Sequence, residues 1–273
     1  MMLNYGDAIP TFSKAQLQWL LTTHYVGRRF FYRPVTESTM DDARRMAERG
    51  MPHGMLILAE EQSAGRGRAG RGWVSPPDVN LHFTILLYPD QSGLRPLSYV
   101  TPLAVALAVE AQTAATGRQV DTTLKWPNDV LIADKKLAGV LIETENLDGK
   151  LVACIGVGIN VNLEVATYPE IRDIATSVRE ALGYSVSREE LLATFCNQFE
   201  ALYEESLSGS KRPFEMWRER LVTLGREVVA QGPGIRYEGR AVDVDEDGAL
   251  IIAINDGERV RVEAGDVTLR PSP

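Results

Sequence analysis

Gly65-Arg66-Gly67-Arg68-Ala69-Gly70-Arg71-Gly72-Trp73 runs into Val74-Ser75-Pro76-Pro77 and then into Asn80-Leu81-His82-Phe83-Thr84-Ile85-Leu86-Leu87-Tyr88. The residues after the glycines decide which folds the chain can adopt. Gly65, Gly67 and Gly70 spell G-x-G-x-x-G after the apolar run Met55 to Ala59, which invites a dinucleotide-binding reading. That reading needs a helix to begin within the glycines, because the pyrophosphate rests on a helix N-terminus. Trp-Val-Ser-Pro-Pro and a β-rich run come instead, so no such helix can form. A P-loop fails too, since Arg71-Gly72 stands where Lys-Ser/Thr is required. An unspecific basic tract belongs in repetitive, low-complexity surroundings, whereas this stretch is single and lies between two strand-like segments. Three forked guanidinium groups on a glycine backbone, followed by an aromatic ring, fit a structured loop that holds a small anion next to a planar group.

Composition narrows the setting of that loop. The chain has 273 residues, 44% hydrophobic, enough for one large domain and a small one. Its formal charge is −8, which opposes binding nucleic acid through the overall field and makes the arginine cluster a focused feature. Cys154 and Cys196 are the only cysteines, far apart in apolar surroundings, and His24, His53 and His82 share no ligand spacing. Neither a disulfide framework nor a protein-built metal centre is expected. The first residues carry no basic start and no apolar core, and no run is long enough to span a membrane, so a cytoplasmic enzyme is expected.

Working outward, Ser13 to Thr23 is amphipathic with Ser13 as its N-cap, and Arg28 to Val35 is a strand. Ser38 caps a second helix, with Asp41 and Asp42 in its first turn and Gly50 as its stop. The run from Leu97 to Thr116 is apolar on most faces, as in a helix buried on a sheet. Strands are expected at Thr122–Trp126, Val130–Ala133, Leu137–Thr144 and Leu151–Val161, with Asp148-Gly149 turning a hairpin. Helical patterning returns at Ser187–Leu207 and Pro213–Leu224. This mixture implies an α+β fold with a mainly antiparallel sheet flanked by helices. From Gly225 on, Gly232-Pro233-Gly234, Gly239, Asp247-Gly248 and Asp256-Gly257 punctuate short β-branched runs, which predicts a small all-β barrel. The division expected is residues 1–224 and residues 225–273.

Two further segments carry chemistry. In Leu124-Lys125-Trp126-Pro127-Asn128-Asp129-Val130 a lysine ends an apolar strand beside Trp126 and Pro127, where partial desolvation strengthens its action on a phosphoryl group. Asn128 and Asp129 could orient a nucleotide or its Mg²⁺, although the same residues make good turn chemistry. Ile155-Gly156-Val157-Gly158-Ile159-Asn160 is a strand whose glycines admit close approach of a flat ligand, or equally mark a bulge.

In order, Glu61-Gln62-Ser63-Ala64-Gly65-Arg66-Gly67-Arg68, Trp73, Lys125-Trp126-Pro127-Asn128-Asp129, Lys136-Leu137-Ala138-Gly139 and Gly158-Ile159-Asn160 resemble the signature blocks of the biotin protein ligase family. The resemblance is strong over Phe31 to Asn162 and weaker elsewhere, with Asp247-Gly248-Ala249-Leu250 resembling a block of the family's C-terminal barrel. It implies a catalytic domain like that of class II aminoacyl-tRNA synthetases and biotin ligases, and a C-terminal SH3-like β-barrel. It implies ATP-dependent conversion of biotin to biotinyl-5'-AMP with release of pyrophosphate, then transfer to a lysine of a biotin carboxyl carrier protein such as that of acetyl-CoA carboxylase. ATP and biotin are then substrates, and Mg²⁺ arrives with ATP.

By the same resemblance, Ser38, Thr39 and Gln62 would bond the ureido head of biotin, and Arg66-Gly67-Arg68 would close over biotin and the adenylate. Lys125 would contact the carboxylate and the α-phosphate, so Lys125, Arg66 and Arg68 are the expected catalytic residues. Gly156, Gly158 and Val130 would form the close wall of the biotin pocket. Trp73 would stack near the adenine, with Asn128 and Asn160 helping to seat the nucleotide. Met40 takes the next place in the biotin site, where the family usually has Asn, so a polar side-chain contact from that position is not carried over.

The chemistry agrees with that assignment. A carboxylate attacks an α-phosphate only where positive charge offsets the repulsion of two anions. Lys125, Arg66, Arg68 and Mg²⁺ would supply that charge. No enzyme nucleophile is required, and no Ser-His-Asp or Cys-His motif is recognisable. The 65–73 loop is expected to be mobile without ligand and to shield the anhydride from water once ordered. A lipoate or octanoate ligase is the nearest alternative, disfavoured by the Gly-Arg-Gly-Arg loop and Gln62. A DNA-binding repressor form is disfavoured because the roughly thirty residues before Phe31 are too few for a three-helix reader. A non-enzymatic binding module is the third. No nucleic-acid or membrane partner is expected, and a homodimer is left open.

Overall fold

A computed structural model describes residues 12–115, 117–232, 235–254, 257–263 and 265–269. Ser13 caps α1 (Lys14–Leu20) by accepting the Gln16 amide, and β1 (Phe30–Thr36) follows. Ser38 caps α2 (Thr39–Glu48), and Gly50 ends that helix region at a positive φ of 68°. This helix is the crossover from β1 to the parallel strand β2 (Met55–Gln62). After β3 (Leu81–Leu87) comes α3 (Gln91–Ala114), and then β4 (Thr123–Lys125), β5 (Asp129–Ile132), β6 (Lys135–Leu147) and β7 (Lys150–Ile159). The strands lie in the order β1-β2-β3-β7-β6-β5-β4, and only the β1–β2 pairing is parallel. This is the mainly antiparallel α+β sheet the patterning predicts. Asp148 and Gly149 join β6 to β7 with φ of 50° and 82°, the two positive values that a type I′ hairpin turn needs.

The two faces of the sheet bury different partners. Leu81, Phe83, Ile85 and Leu87 point to the layer built by α1, α3 and the later helices α4 (Val178–Leu182), α5 (Arg188–Leu207) and α6 (Arg212–Glu219). Phe83 meets Phe195 of α5 edge-on, with ring centres 5.0 Å apart. On the opposite face Met40, Ala43, Met46 and Ala47 of α2 pack on Ile57, Leu86, Val152 and Cys154. Because α2 covers only part of that face, the rest can open as a cavity.

Two helix boundaries differ furthest from expectation. The buried helix α3 begins at Gln91 rather than Leu97, capped by Asp90, whose carboxylate accepts the Gly93 amide at 2.8 Å. Pro96 is simply enclosed in it, since burial against α5 outweighs one missing amide bond. Helix α6 ends at Glu219 rather than Leu224, because Leu221 turns to bridge Leu124.

The C-terminal strands β8 (Glu227–Gly232), β9 (Ile235–Val244), β10 (Leu250–Ala253), β11 (Arg259–Val262) and β12 (Asp266–Leu269) form a separate antiparallel sheet in the order β11-β10-β9-β8-β12. It is the small SH3-like unit expected. The turn residues Pro233, Gly234 and Asp256, and the first eleven residues used to judge a leader, lie outside the described residues.

Candidate active site

The arginine–glycine stretch is a miniature hairpin. Arg66 bridges Gly72, the Gly67 amide donates to Arg71 O (2.7 Å), and the Trp73 amide donates to Gly65 O (2.9 Å). The turn at Arg68–Gly70 places Ala69 and Gly70 at φ of 53° and 71°. A single 3₁₀ turn with Ala69 in the left-handed region, and no α-helix, begins there, which removes the dinucleotide reading physically. The hairpin roofs a cavity of about 700 Å³.

The floor is β7 and β6, and its glycines let other side chains lie close upon it. A Cβ on Gly158 would fall 2.5 Å from Trp73 Cε2, and one on Gly156 would fall 2.6 Å from Met40 Sδ. The ladders from β7 to β3 and to β6 run without a register shift, so close approach, and not a bulge, explains both residues. Trp73 therefore lies flat in a slot between Gly158 and Gly139, with Lys136 Nζ 5.4 Å from its ring centre. Its Nε1 is buried without a hydrogen-bond partner.

At one end stand Ser38, Thr39 and Met40 at the start of α2, and Gln62 at the end of β2. Ser38 Oγ accepts the Met40 amide at 3.3 Å, so its capping role is real. Gln62 Oε1 accepts from the Thr39 amide (2.9 Å) and the Thr39 hydroxyl (3.2 Å), while Thr39 accepts from Thr84 (2.9 Å). These groups are fixed before any ligand arrives. At the other end are Lys125, Asn128, Asp129 and Asn160. Asn128 Nδ2 donates to Val140 O, and Asn160 Nδ2 donates to Thr176 O at 3.0 Å. Asp129 is 2.6 Å from Lys136 Nζ, so its carboxylate serves an ion pair.

Ser38, Thr39, Met40, Gln62, Arg66, Gly67, Arg68, Trp73, Lys125, Asn128, Gly156, Gly158 and Asn160 thus all line one cavity. Val130 does not. It is fully buried in the helix-side core, because its neighbours Asp129 and Leu131 take the cavity-facing places. Sequence reasoning missed Lys136, Arg226 and Leu269 as lining groups, the last two contributed by the C-terminal region. Lys136 belongs to the Lys-Leu-Ala-Gly motif and could have been found there, whereas nothing local marks Arg226. Six cationic side chains, Arg66, Arg68, Arg71, Lys125, Lys136 and Arg226, face only three carboxylates, Asp129, Asp134 and Asp173. Two of the six already hold carboxylates, Arg66 with Asp41 and Lys136 with Asp129, so the number of cations overstates the field on a bound anion. Among the described residues no cluster of three or more His, Cys, Asp or Glu could hold a metal ion, and no helix is long and apolar enough to cross a membrane.

A mixed sheet with a small antiparallel unit attached, and an apolar slot beside a cationic rim under an arginine–glycine roof, define a protein of the biotin/lipoate ligase class. A profile of the Biotin/lipoate A/B protein ligase family matches residues 32–162, and one of the Biotin protein ligase C terminal domain matches residues 223–270. The chain is 34% identical over 235 residues to the Biotin--[acetyl-CoA-carboxylase] ligase of Paracoccus denitrificans, covering 82% of this chain and 94% of that one. It is 31% identical over 260 residues to the Bifunctional ligase/repressor BirA of Bacillus subtilis (strain 168), covering 94% and 79%. The biotin protein ligase from Aquifex aeolicus in complex with biotin and ATP superposes with a TM-score of 0.75 at 31% identity, over 90% of this chain and all of that one. The chain belongs to the biotin protein ligase family.

Proposed function

We propose that the chain activates biotin with ATP and transfers it to a lysine of a biotin carboxyl carrier domain. The observation that carries this reading is the junction, within one cavity, of a glycine-floored apolar slot and six cationic side chains. In the first step a carboxylate oxygen of biotin attacks the α-phosphorus of ATP, the bond to the β-phosphate oxygen breaks, and pyrophosphate leaves. Lys125 and Arg68 offset the charge of the two approaching anions. In the second step the neutral amine of the acceptor lysine attacks the acyl carbon, AMP departs, and the amine loses a proton. Ser38, Thr39, Met40 and Gln62 receive the ring end of biotin above Gly156, while Gly158, expected in the same wall, carries the Trp73 ring. Trp73, Asn128 and Asn160 seat the nucleotide. Mg²⁺, brought by ATP, would neutralise phosphate charge.

The division we propose is a catalytic domain of residues 1–224 and a barrel of residues 225–273, with the cytoplasm as the working compartment. Biotin is favoured over lipoate because the head-end groups Thr39 and Gln62 are fixed polar partners, which a ureido ring can match and a dithiolane cannot. The test is ATP-dependent labelling of an apo carrier domain with biotin, beside pyrophosphate exchange with biotin or lipoate as the acid. We expect exchange with biotin, and a loss of about 100-fold or more in turnover for Lys125→Ala. Exchange with lipoate alone would overturn the biotin reading, and unchanged labelling by Lys125→Ala would remove that residue from the chemistry.

A further inference from the structure

Arg66 reaches the cavity from a fixed mount. Its Nη1 is 3.0 Å from Asp41 Oδ2 and its Nη2 is 2.7 Å from Asp41 Oδ1, a two-point pair. Nη2 also lies 3.5 Å from Glu143 Oε2. Glu143 holds Arg44, and Arg44 Nη1 returns to Asp41 Oδ1 at 3.4 Å. The four side chains close a ring of alternating charge drawn from α2, from β6 and from the loop. Exposed single ion pairs contribute little, but a two-point pair within a network is the arrangement that does contribute.

The ring holds two positive and two negative groups, so the net field of Arg66 on a bound anion is largely cancelled. Its mechanical role survives that cancellation: it ties the start of the hairpin to α2 and β6. The far side of the same hairpin is tied by Arg68 Nη2, which donates to Gly265 O at 3.1 Å. Asp41 takes two of the five guanidinium N–H groups and Glu143 lies within reach of a third, which leaves two for a ligand.

In place of the ligand-free mobility expected from the sequence, we propose that Asp41 and Glu143 are positioning residues that act through Arg66, holding the 65–73 hairpin over the cavity before substrate arrives and presenting the remaining guanidinium donors to it. The geometry accounts for two residues that the activity itself does not use. Arg66 lowers the Asp41 carboxyl below its ordinary range, so the pair is charged at neutral pH. The loop-holding role stands on this geometry alone, and only its kinetic effect rests on the proposed biotin chemistry.

The experiment compares the full chain with Asp41→Asn and Glu143→Gln. Trypsin can cut the hairpin at Arg66, Arg68 and Arg71, so its nicking rate without ligand reads how firmly the loop is held. Nicking should be about three- to tenfold faster in each variant, and the unsubstituted chain should approach them as salt rises from about 0.05 to 0.5 M. In pyrophosphate exchange the half-saturating biotin concentration should rise by a similar factor, with turnover within about twofold. Asp41→Glu should recover part of the loss. Asp41 also sits in the first turn of α2, whereas Glu143 lies on a strand, so the second variant decides should the first unfold the helix. Unchanged nicking in folded Glu143→Gln would overturn the proposal, as would lost turnover at constant half-saturation. Were the unsubstituted chain to show no biotin-dependent exchange, the functional reading would fail while the nicking comparison still decided this one.

Discussion

Gly158 and Gly139 flank the same indole ring but leave it different amounts of room. A Cβ at Gly158 would sit 2.5–2.7 Å from three atoms of Trp73, whereas one at Gly139 would sit 3.3 Å from Trp73 Cζ3 and 3.2 Å from the tip of Lys136. The first distance cannot be met without expelling the ring, and the second needs only a small shift of a flexible lysine. Gly158→Ala should therefore raise the half-saturating ATP concentration by about tenfold or more, and Gly139→Ala by less than about threefold. Equal effects of the two in pyrophosphate exchange would mean that the slot is not where Trp73 acts. At this scale the sequence disclosed Lys125, Trp73 and the arginines, because their types and local context already speak of anions and flat rings. It did not disclose the pairings Arg66–Asp41 and Lys136–Asp129, which depend on where β6 and α2 lie. Asp41 looked like an ordinary first-turn acid, and Asp129 like a candidate for a nucleotide or its Mg²⁺.

Between elements, the firmest electrostatic tie joins β2 to the start of α5. Arg188 Nη1 lies 2.5 Å from Glu60 Oε2 and 3.2 Å from Asn80 O, with both side chains about 95% or more buried. The Tyr32 hydroxyl donates to Glu60 Oε1 at 3.0 Å, and burial together with that carboxylate pushes the phenol up to about 12. Arg188→Leu would strand a buried carboxylate and should cost about 3–5 kcal/mol in urea unfolding. Tyr32→Phe should cost about 1 kcal/mol, and Glu60→Leu with Arg188→Leu should recover most of the single loss. A single-variant cost below that of Tyr32→Phe would mean that water reaches Glu60. Elements with local signals were legible: the Ser13 and Ser38 caps, the Asp148-Gly149 hairpin, and the apolar runs that form β2 and β3. Helix α4 was not. Its segment is held by distant partners, with the Val178 amide on Asn160 O, Ser177 Oγ on Leu163 O, and Asn162 exchanging two bonds with Val186. Five residues leave no periodicity to read, although Ser177, which accepts the Glu180 amide, and Gly183 at a φ of 85° are local start and stop signals that were passed over.

Across the whole molecule, Trp126 joins the active-site strand to the C-terminal sheet. It is 2% exposed, its amide donates to Thr223 Oγ1 (2.9 Å), and its indole Nε1 donates to Gly248 O (2.9 Å). The preceding residue is Lys125, which lines the cavity, and Gly248 lies beside the equally buried Trp217. Val228, Ala230, Ala241, Val244, Leu250, Ile252, Val262 and Val267 of the C-terminal sheet share one continuous apolar cluster with Trp126, Trp217 and the helix-side core. Such continuity predicts that the two proposed units unfold as one cooperative body. Thermal unfolding of the full chain should then be a single transition, coincident by tryptophan fluorescence and far-ultraviolet circular dichroism. Trp126→Phe removes the bond to Gly248 and leaves its carbonyl unpaired, which should cost about 1–3 kcal/mol while keeping the transition single. Because Lys125 rides on the same strand end, that substitution should also raise the half-saturating ATP concentration, even though Trp126 itself stays behind the cavity wall. Two separated transitions in the unsubstituted chain would contradict the shared core, and an unshifted midpoint in Trp126→Phe would mean that the Gly248 carbonyl finds water when the indole is gone.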